Sequence, residues 1–439
     1  MNLVISRTTK QLLIVGFLLI VTKLVALFKE VYLAQKFGIG STLDAYFVAL
    51  TASLFLPAVF LAVLPSILVP YFVKLKNRSA QNSTLGNLSF LLIMIGLLNT
   101  FLLLYFSGDL SSSYQFKPGT DGYVLVNGFI DSFAFMSLPL LLIAVFSSYL
   151  LSVRSNAGSV IEIIPNVVLI VAVFLFSAQF AEKSLAFGTI VGSFLHAFCL
   201  ILIVIAAYRS VPSVSVSEEA VRNLKFIGKG GSILFLGQFF MSLLGPIDNY
   251  FAVSFGEGSV ASYNYAMKLI GIGSSLISVL VLRVILPKFS ELERDGKYLE
   301  LRHLVLLYSK VSFVLISFAS VLAFPFVPFL IELIYQGGKL TPQKLNLLAD
   351  LVLAGLFQLP FFVTSLIIVQ CYLVKSWIIY VAFFSISNVA IKSASNLVLT
   401  EIFGLSGLMY SWAVMYFWSG LCLFITFKVK KPNYVKSLY

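Results

Sequence analysis

Charge is the scarcest feature of this chain. Only 11% of its 439 residues are Asp, Glu, Lys or Arg, where a soluble domain carries about 25%, so the chain cannot cover itself with a water-compatible surface. Histidine is nearly absent, with two residues, and there are three cysteines. His196 and His303 lie far apart and no HExxH run occurs, which argues against a metal site. Cys199, Cys371 and Cys422 all fall inside apolar runs, too few and too deep for a disulfide framework. No GxxxxGK[ST] run is present: Gly228-Lys229-Gly230-Gly231 lacks both the spacing and the hydroxyl, so ATP hydrolysis is excluded as the energy source. Long polar segments are missing too. The largest connections, about 107–123, 209–230 and 288–303, leave no room for a catalytic domain, and no enzyme site is expected.

Apolar sequence fills the space. Hydrophobic residues make up 59% of the chain and aromatics 15%, with a mean hydropathy of +1.00. A helix crosses the hydrocarbon with about 20 apolar residues and satisfies its own backbone groups, which lipid requires. Hydropathy, punctuated by Pro, Gly and charge, predicts an all-α polytopic membrane protein of about twelve transmembrane helices. They fall near 12–35, 46–73, 88–106, 124–152, 159–178, 186–208, 231–253, 260–287, 304–335, 346–373, 377–400 and 405–427. The first run follows Arg7 and Lys10 as a signal peptide would. No small-residue cleavage site follows, and it continues into Phe28-Lys29-Glu30, so it reads as an uncleaved span.

The net charge of +12 is explained by topology rather than nucleic acid, because basic residues cluster in loops beside spans. Nineteen sit on the side of the N-terminus (Arg7, Lys10, Lys74, Lys76, Arg78, Arg154, Arg209, Arg222, Lys225, Lys229, Lys288, Arg294, Lys297, Arg302, Lys375, Lys428, Lys430, Lys431 and Lys436). Five sit opposite: Lys36, Lys117, Lys183, Lys339 and Lys344. That asymmetry predicts both termini in the cytoplasm.

Two stretches repeat at an offset of 218 residues. YLAQKFGIGS (32–41) returns as YFAVSFGEGS (250–259), matching Tyr32, Ala34, Phe37, Gly38, Gly40 and Ser41 to Tyr250, Ala252, Phe255, Gly256, Gly258 and Ser259. Glu30 lines up with Asp248, and Pro70, Phe72 and Leu75 with Pro287, Phe289 and Leu292. The copies open on spans of the same direction, which predicts two parallel six-helix lobes, 1–225 and 226–439, around a central cavity that takes substrate.

Six basic residues lie outside the loops. Arg283 and Lys310 are near span ends, where long side chains snorkel to water. Lys23, Lys29, Lys268 and Lys392 lie deeper, where a charge costs at least about 2.5–3.5 kcal/mol and persists by facing a cavity or a partner. Two readings stand side by side: internal ion pairs with Glu30, Asp248 or Asp131, or a cationic cavity for an anionic substrate. Lys23 and Glu30 share a helix face, whereas Lys29 points about 120° away from Lys23. Asp248, Asn388 and Lys392 form a second candidate cluster, either an Na+ or H+ coupling site or one in which Lys392 acts as a tethered cation. Prolines recur inside spans at Pro57, Pro65, Pro139, Pro165, Pro246, Pro325, Pro328 and Pro360, each expected to kink its helix.

Residues 22–50, TKLVALFKEVYLAQKFGIGSTLDAYFVAL, resemble the MurJ/MviN lipid II flippase family of the multidrug/oligosaccharidyl-lipid/polysaccharide exporter superfamily. The match rests on Thr22-Lys23, Lys29-Glu30, Phe37-Gly38, Gly40, Asp44-Ala45 and Phe47-Val48-Ala49. It continues through ASYNYAMKLIGIG (261–273), VILPKFSEL (284–292) and IYQGGKLT (334–341). The resemblance places the family's cavity arginines at Lys23, Lys29 and Lys268, which keeps charge but loses the bidentate guanidinium grip on phosphate. It places the family aspartate at Asp44, and the arginine of the second span near Pro57-Ala58, where none stands. The family pattern has fourteen spans, two more than are read here. The resemblance implies flipping of an undecaprenyl-diphosphate-linked saccharide, lipid II or an O-antigen or exopolysaccharide unit, to the outer leaflet of the bacterial inner membrane by alternating access. Lys23, Lys29, Lys268, Asp44 and Glu30 would bind substrate, a monomer is expected, and an ion gradient or the membrane potential would drive transport without a cofactor. A cation-coupled multidrug exporter of the same superfamily is the alternative; it calls for an acidic cavity, against the basic bias here.

Overall fold

A computed structural model describes residues 7–75, 77–155, 157–208, 212–214 and 218–429, and among them there is no strand. Lys76, Arg209, Lys430, Lys431 and Lys436 of the charge asymmetry, and both chain ends, lie outside the described residues. The helices are α1 (Arg7–Phe37), α2 (Ser41–Lys74), α3 (Arg78–Ser113), α4 (Asp121–Phe133), α5 (Ser137–Ser152), α6 (Ala157–Ile161), α7 (Ile164–Phe180), α8 (Lys183–Tyr208) and α9 (Glu218–Ser242). They continue as α10 (Leu244–Val253), α11 (Ser259–Leu280), α12 (Leu286–Arg294), α13 (Tyr298–Ala323), α14 (Val327–Tyr335), α15 (Pro342–Leu356), α16 (Gln358–Val374), α17 (Ile378–Phe403) and α18 (Gly407–Val429). Helix covers each of the twelve apolar segments. By length and composition, nine continuous stretches among the described residues are membrane-crossing, and α7 is a shorter apolar helix. One of the nine, Ile378–Phe427, holds two expected spans, α17 and α18, joined through Gly404–Ser406.

The breaks inside the expected spans follow proline. A proline at position i cannot donate to the carbonyl at i−4 and its ring crowds that group. Pro139 follows the 3-10 turn Ala134–Met136, Pro246 the break at Leu243, and Pro287 the π-turn Val281–Ile285. Pro328 follows the turn Phe324–Phe326, Pro360 the break at Phe357, and Pro165 opens α7. Pro57, Pro65 and Pro70, by contrast, lie within the continuous α2.

The chain divides into two compact units, Met1–Phe235 with Gly337–Lys339, and Leu236–Gln336 with Leu340–Tyr439; the division falls within α9. In the first, α2, α3, α5 and α8 bury Leu64, Leu68, Phe72, Leu85 and Tyr149, with Phe72 edge-on to Tyr149 at 5.3 Å. In the second, Phe289, Leu292, Leu301, Ile367 and Tyr372 form the corresponding buried cluster. The repeated Phe72 and Phe289 are therefore core residues of their own units. The repeated loop folds alike in part: Gly38 (φ 78°) and Gly256 (φ 90°) are left-handed and the next helix starts at Ser41 in one copy and Ser259 in the other, whereas Gly40 is extended and Gly258 left-handed. Large apolar side chains such as Phe101, Tyr105, Phe174 and Phe318 stand exposed, as a surface solvated by acyl chains allows.

The α7–α8 contact shows how closely these helices approach. Gly188 and Gly192, one turn apart on α8, face α7; a Cβ on Gly188 would lie 2.8 Å from Ala172 Cβ, and one on Gly192 2.9 Å from Pro165 Cα. Small residues at this spacing let backbones meet where no hydrophobic effect drives helices together. Gly192→Val is expected to destabilise the protein by about 1–3 kcal/mol through overpacking, read as a lower thermal unfolding midpoint in detergent. Gly271→Ala, whose Cβ meets nothing within 4 Å, should not lower it.

Candidate functional site

In the first unit, Lys29 and Glu30 are adjacent on α1 and pair at 2.7 Å (Nζ to Oε1), with side chains 15% and 6% exposed. Tyr46, in the second turn of α2, is the next electrostatic neighbour of Lys29. The Thr189 hydroxyl of α8 donates to the Leu185 carbonyl at 2.7 Å, so its oxygen is left to accept from the Tyr46 hydroxyl at 3.3 Å. Phe129 and Phe133 of α4 hold the Tyr46 ring edge-on, at 5.9 and 5.6 Å. Lys23 lies on the exposed side of α1, with Glu162 at the α6–α7 turn as its electrostatic neighbour. The two lysines thus occupy different surroundings, as their 120° separation predicts. Asp44 is buried in the first turn of α2, where the helix N-terminus favours a carboxylate.

The second unit holds a sealed polar network. Lys392 on α17 and Asp248 on α10 are both fully buried and pair at 2.5 Å (Nζ to Oδ1). The Lys392 ammonium also donates to Asn396 Oδ1 at 2.9 Å and to the Leu408 carbonyl of α18 at 3.3 Å. Asp248 Oδ1 accepts a second bond, from Asn396 Nδ2 at 2.8 Å. Its Oδ2 accepts from the Tyr263 hydroxyl of α11 and from Trp412 Nε1 of α18, the latter at 3.0 Å. The Trp412 ring lies 5.1 Å from the ammonium, within cation–π range. A buried ion pair is tolerated when its remaining donors and acceptors are filled; here three ammonium hydrogens and four carboxylate acceptor positions all are.

Of the sequence candidates, Asp248 and Lys392 meet directly. The carboxamide that joins them is Asn396, one turn beyond Lys392; Asn388, one turn before it, donates instead to Met241 Sδ at 4.0 Å. With Ser365, Ser385 and Ser419, Asn388 lines a cavity of about 190 Å3 within this unit. Lys268 of α11 is half-buried, its Nζ 5.8 Å from the centroid of the Tyr265 ring. Tyr46, Thr189, Glu162, Tyr263, Asn396 and Trp412 were not among the candidates. Only Asn396 carried a readable signal, the i, i+4 spacing from Lys392 along one helix face.

The sequence model described as lipid II flippase MurJ matches residues 33–437. The chain belongs to the lipid II flippase MurJ family. The matched stretch includes Asp44, Asp248, Lys268, Asn388 and Lys392 and begins after Lys23, Lys29 and Glu30. Among solved structures the chain is similar to a lipid II flippase MurJ in an inward closed conformation, with a TM-score of 0.80, 19% identity, 95% of this chain and 88% of that one covered. It is also similar to an inward-facing multidrug resistance MATE transporter of the MOP superfamily (TM-score 0.71, 14% identity, 93% and 94% covered). A MOP superfamily transporter from Pyrococcus furiosus is similar at TM-score 0.64 and 12% identity, with 94% and 93% covered. At these identities the likenesses establish the fold. No curated protein matches the chain.

Breaking the buried pair from one side leaves an uncompensated charge, so Asp248→Ala should cost about 3–5 kcal/mol. The double variant Asp248→Ala with Lys392→Met should recover part of that loss. Thermal unfolding of the four proteins of this cycle measures the coupling directly.

Proposed function

We propose that this chain moves a polyprenyl-diphosphate-linked saccharide from the cytoplasmic to the outer leaflet of the bacterial inner membrane by alternating access, with both termini in the cytoplasm. The observation that carries the reading is the family match over residues 33–437. The cargo is lipid II or a related O-antigen or exopolysaccharide unit, and the polyprenyl tail remains in lipid during transport.

The chemistry of the headgroup fits the basic residues of the spans. A diphosphate attracts ammonium groups most strongly where water is scarce, and Lys23, Lys29 and Lys268 supply three. Lys29 is already held by Glu30 at 2.7 Å, so the headgroup competes with that carboxylate for it. Net positive charge also couples transport to the membrane potential, which acts at about 2.3 kcal/mol per elementary charge per 100 mV. A cation-coupled drug exporter is disfavoured because Asp248, the fully buried acid of the second unit, is filled by Lys392.

Flipping of fluorescent lipid II and of a lipid-linked O-antigen unit, side by side in proteoliposomes, tests the reading; transport of neither would refute it. Neutralising Lys23, Lys29 and Lys268 together should abolish flipping with expression intact. A charge-assisted bond contributes about 1.5–3 kcal/mol, so Lys29→Ala alone should weaken headgroup binding about tenfold or more. Glu30→Gln, which frees Lys29 from its competitor, should strengthen binding, read as a lower substrate concentration at half-maximal rate.

A further inference from the structure

The network around Lys392 has the form of a monovalent-cation site whose cation is supplied by the chain. Three oxygens from three helices converge on one point: Asp248 Oδ1 of α10 at 2.5 Å, Asn396 Oδ1 of α17 at 2.9 Å and the Leu408 carbonyl of α18 at 3.3 Å. A carboxylate, a carboxamide and a backbone carbonyl are the hard oxygen donors that a small monovalent cation takes. The Lys392 Nζ occupies that point. An ammonium has three hydrogens and no acceptor, and each hydrogen has its oxygen. The second Asp248 oxygen is taken by Tyr263 and Trp412, and Asn396 uses both ends of its carboxamide within the cage. No coordination position is left for a free ion, and every group named is fully or almost fully buried apart from Trp412, which is half-buried.

We infer that Lys392 is a permanent, covalently tethered cation that closes the second unit at α10, α11, α17 and α18, and that this unit neither binds nor requires Na+ or K+ there. An ion that cannot leave its site cannot be carried down a gradient through it. Energy coupling by alkali-cation exchange at Asp248 is thereby removed. The inference does not depend on which cargo the protein carries.

The same geometry predicts what removal of the lysine creates. Lys392→Ala keeps the Asp248, Asn396 and Leu408 oxygens and opens a hole between them. The cavity lined by Asn388, Ser365, Ser385 and Ser419 also includes Tyr416, so its lining comes within one turn of Lys392 along α17 and one turn of Trp412 along α18. Asn388 Oδ1, buried and without a hydrogen-bond partner, is part of that lining. The variant should therefore bind a small cation that the native protein excludes.

The experiment is thermal unfolding of the purified full-length protein in detergent, with sodium, potassium, ammonium or choline chloride at one ionic strength. The native protein is expected to unfold at one temperature in all four. Lys392→Ala should unfold lower in choline and rise by at least about 3 °C in one of the small cations, as binding to the folded state alone requires. The double variant Lys392→Ala with Asp248→Asn should lose that response. A native protein stabilised by sodium or potassium over choline overturns the inference, as does a folded Lys392→Ala protein indifferent to all three small cations. If Lys392→Ala does not fold, the native protein decides alone. Because the readout uses no lipid-linked saccharide, failure here and failure of the flipping assay are separate results.

Discussion

A charge inside hydrocarbon must be matched by an opposite charge and by a full set of hydrogen bonds, and the second unit is organised around one such match. Desolvating either Asp248 or Lys392 alone would cost several kcal/mol. Together they recover that cost only because Tyr263, Asn396, Trp412 and the Leu408 carbonyl fill the positions the pair leaves open. Four helices meet at the pair. Each contributes a group that no neighbour could replace without leaving a donor or acceptor bare. Lipid offers no general hydrophobic drive for helix association, so a point of this kind has more influence on packing than its size suggests.

The first unit meets the same constraint differently. Its acid at the duplicated position, Glu30, pairs with the lysine beside it on the same helix, where Asp248 reaches across to another helix. The consequence is a difference in access. Lys29 keeps part of its side chain exposed, whereas Lys392 has none. The repeated motif keeps the acid, the left-handed glycine after it and the serine that starts the next helix, while the two units differ in where the countercharge comes from. In the flippase reading, a charge meant for a headgroup has to stay reachable and a charge meant to lock helices has to be sealed. Lys29 of the first unit has the exposure the former needs, and Lys392 of the second unit has the burial of the latter.

Proline gives the scaffold its segmented character. The breaks between α4 and α5, α9 and α10, α11 and α12, α13 and α14, and α15 and α16 each precede a proline by a few residues. One backbone donor is lost at each; a short 3-10 or π turn absorbs the misfit at three of them, and a single turn residue, Leu243 or Phe357, at the other two. In α2, three prolines leave the helix continuous, so the residue sets where a break is possible and the packing around it decides whether one occurs.

What the sequence determined by itself is what depends on order along the chain: the membrane class from hydropathy, the helical segments from apolar run length, the motif repeated at a 218-residue offset, and the handful of lysines inside apolar runs. The motif at 22–50 carried the family as well, because those residues are contiguous. Tertiary structure decided which charges meet. Lys392 and Asp248 are 144 residues apart, and nothing local distinguishes Asn396 from Asn388 as the third partner, since both lie one turn from Lys392. Tyr263, Trp412 and Leu408 enter through packing of α11 and α18, and Tyr46 and Thr189 through packing of α2 and α8. Pairing in a low dielectric is settled by distances of a few ångströms across helices, and those distances exist only once the helices have chosen their neighbours.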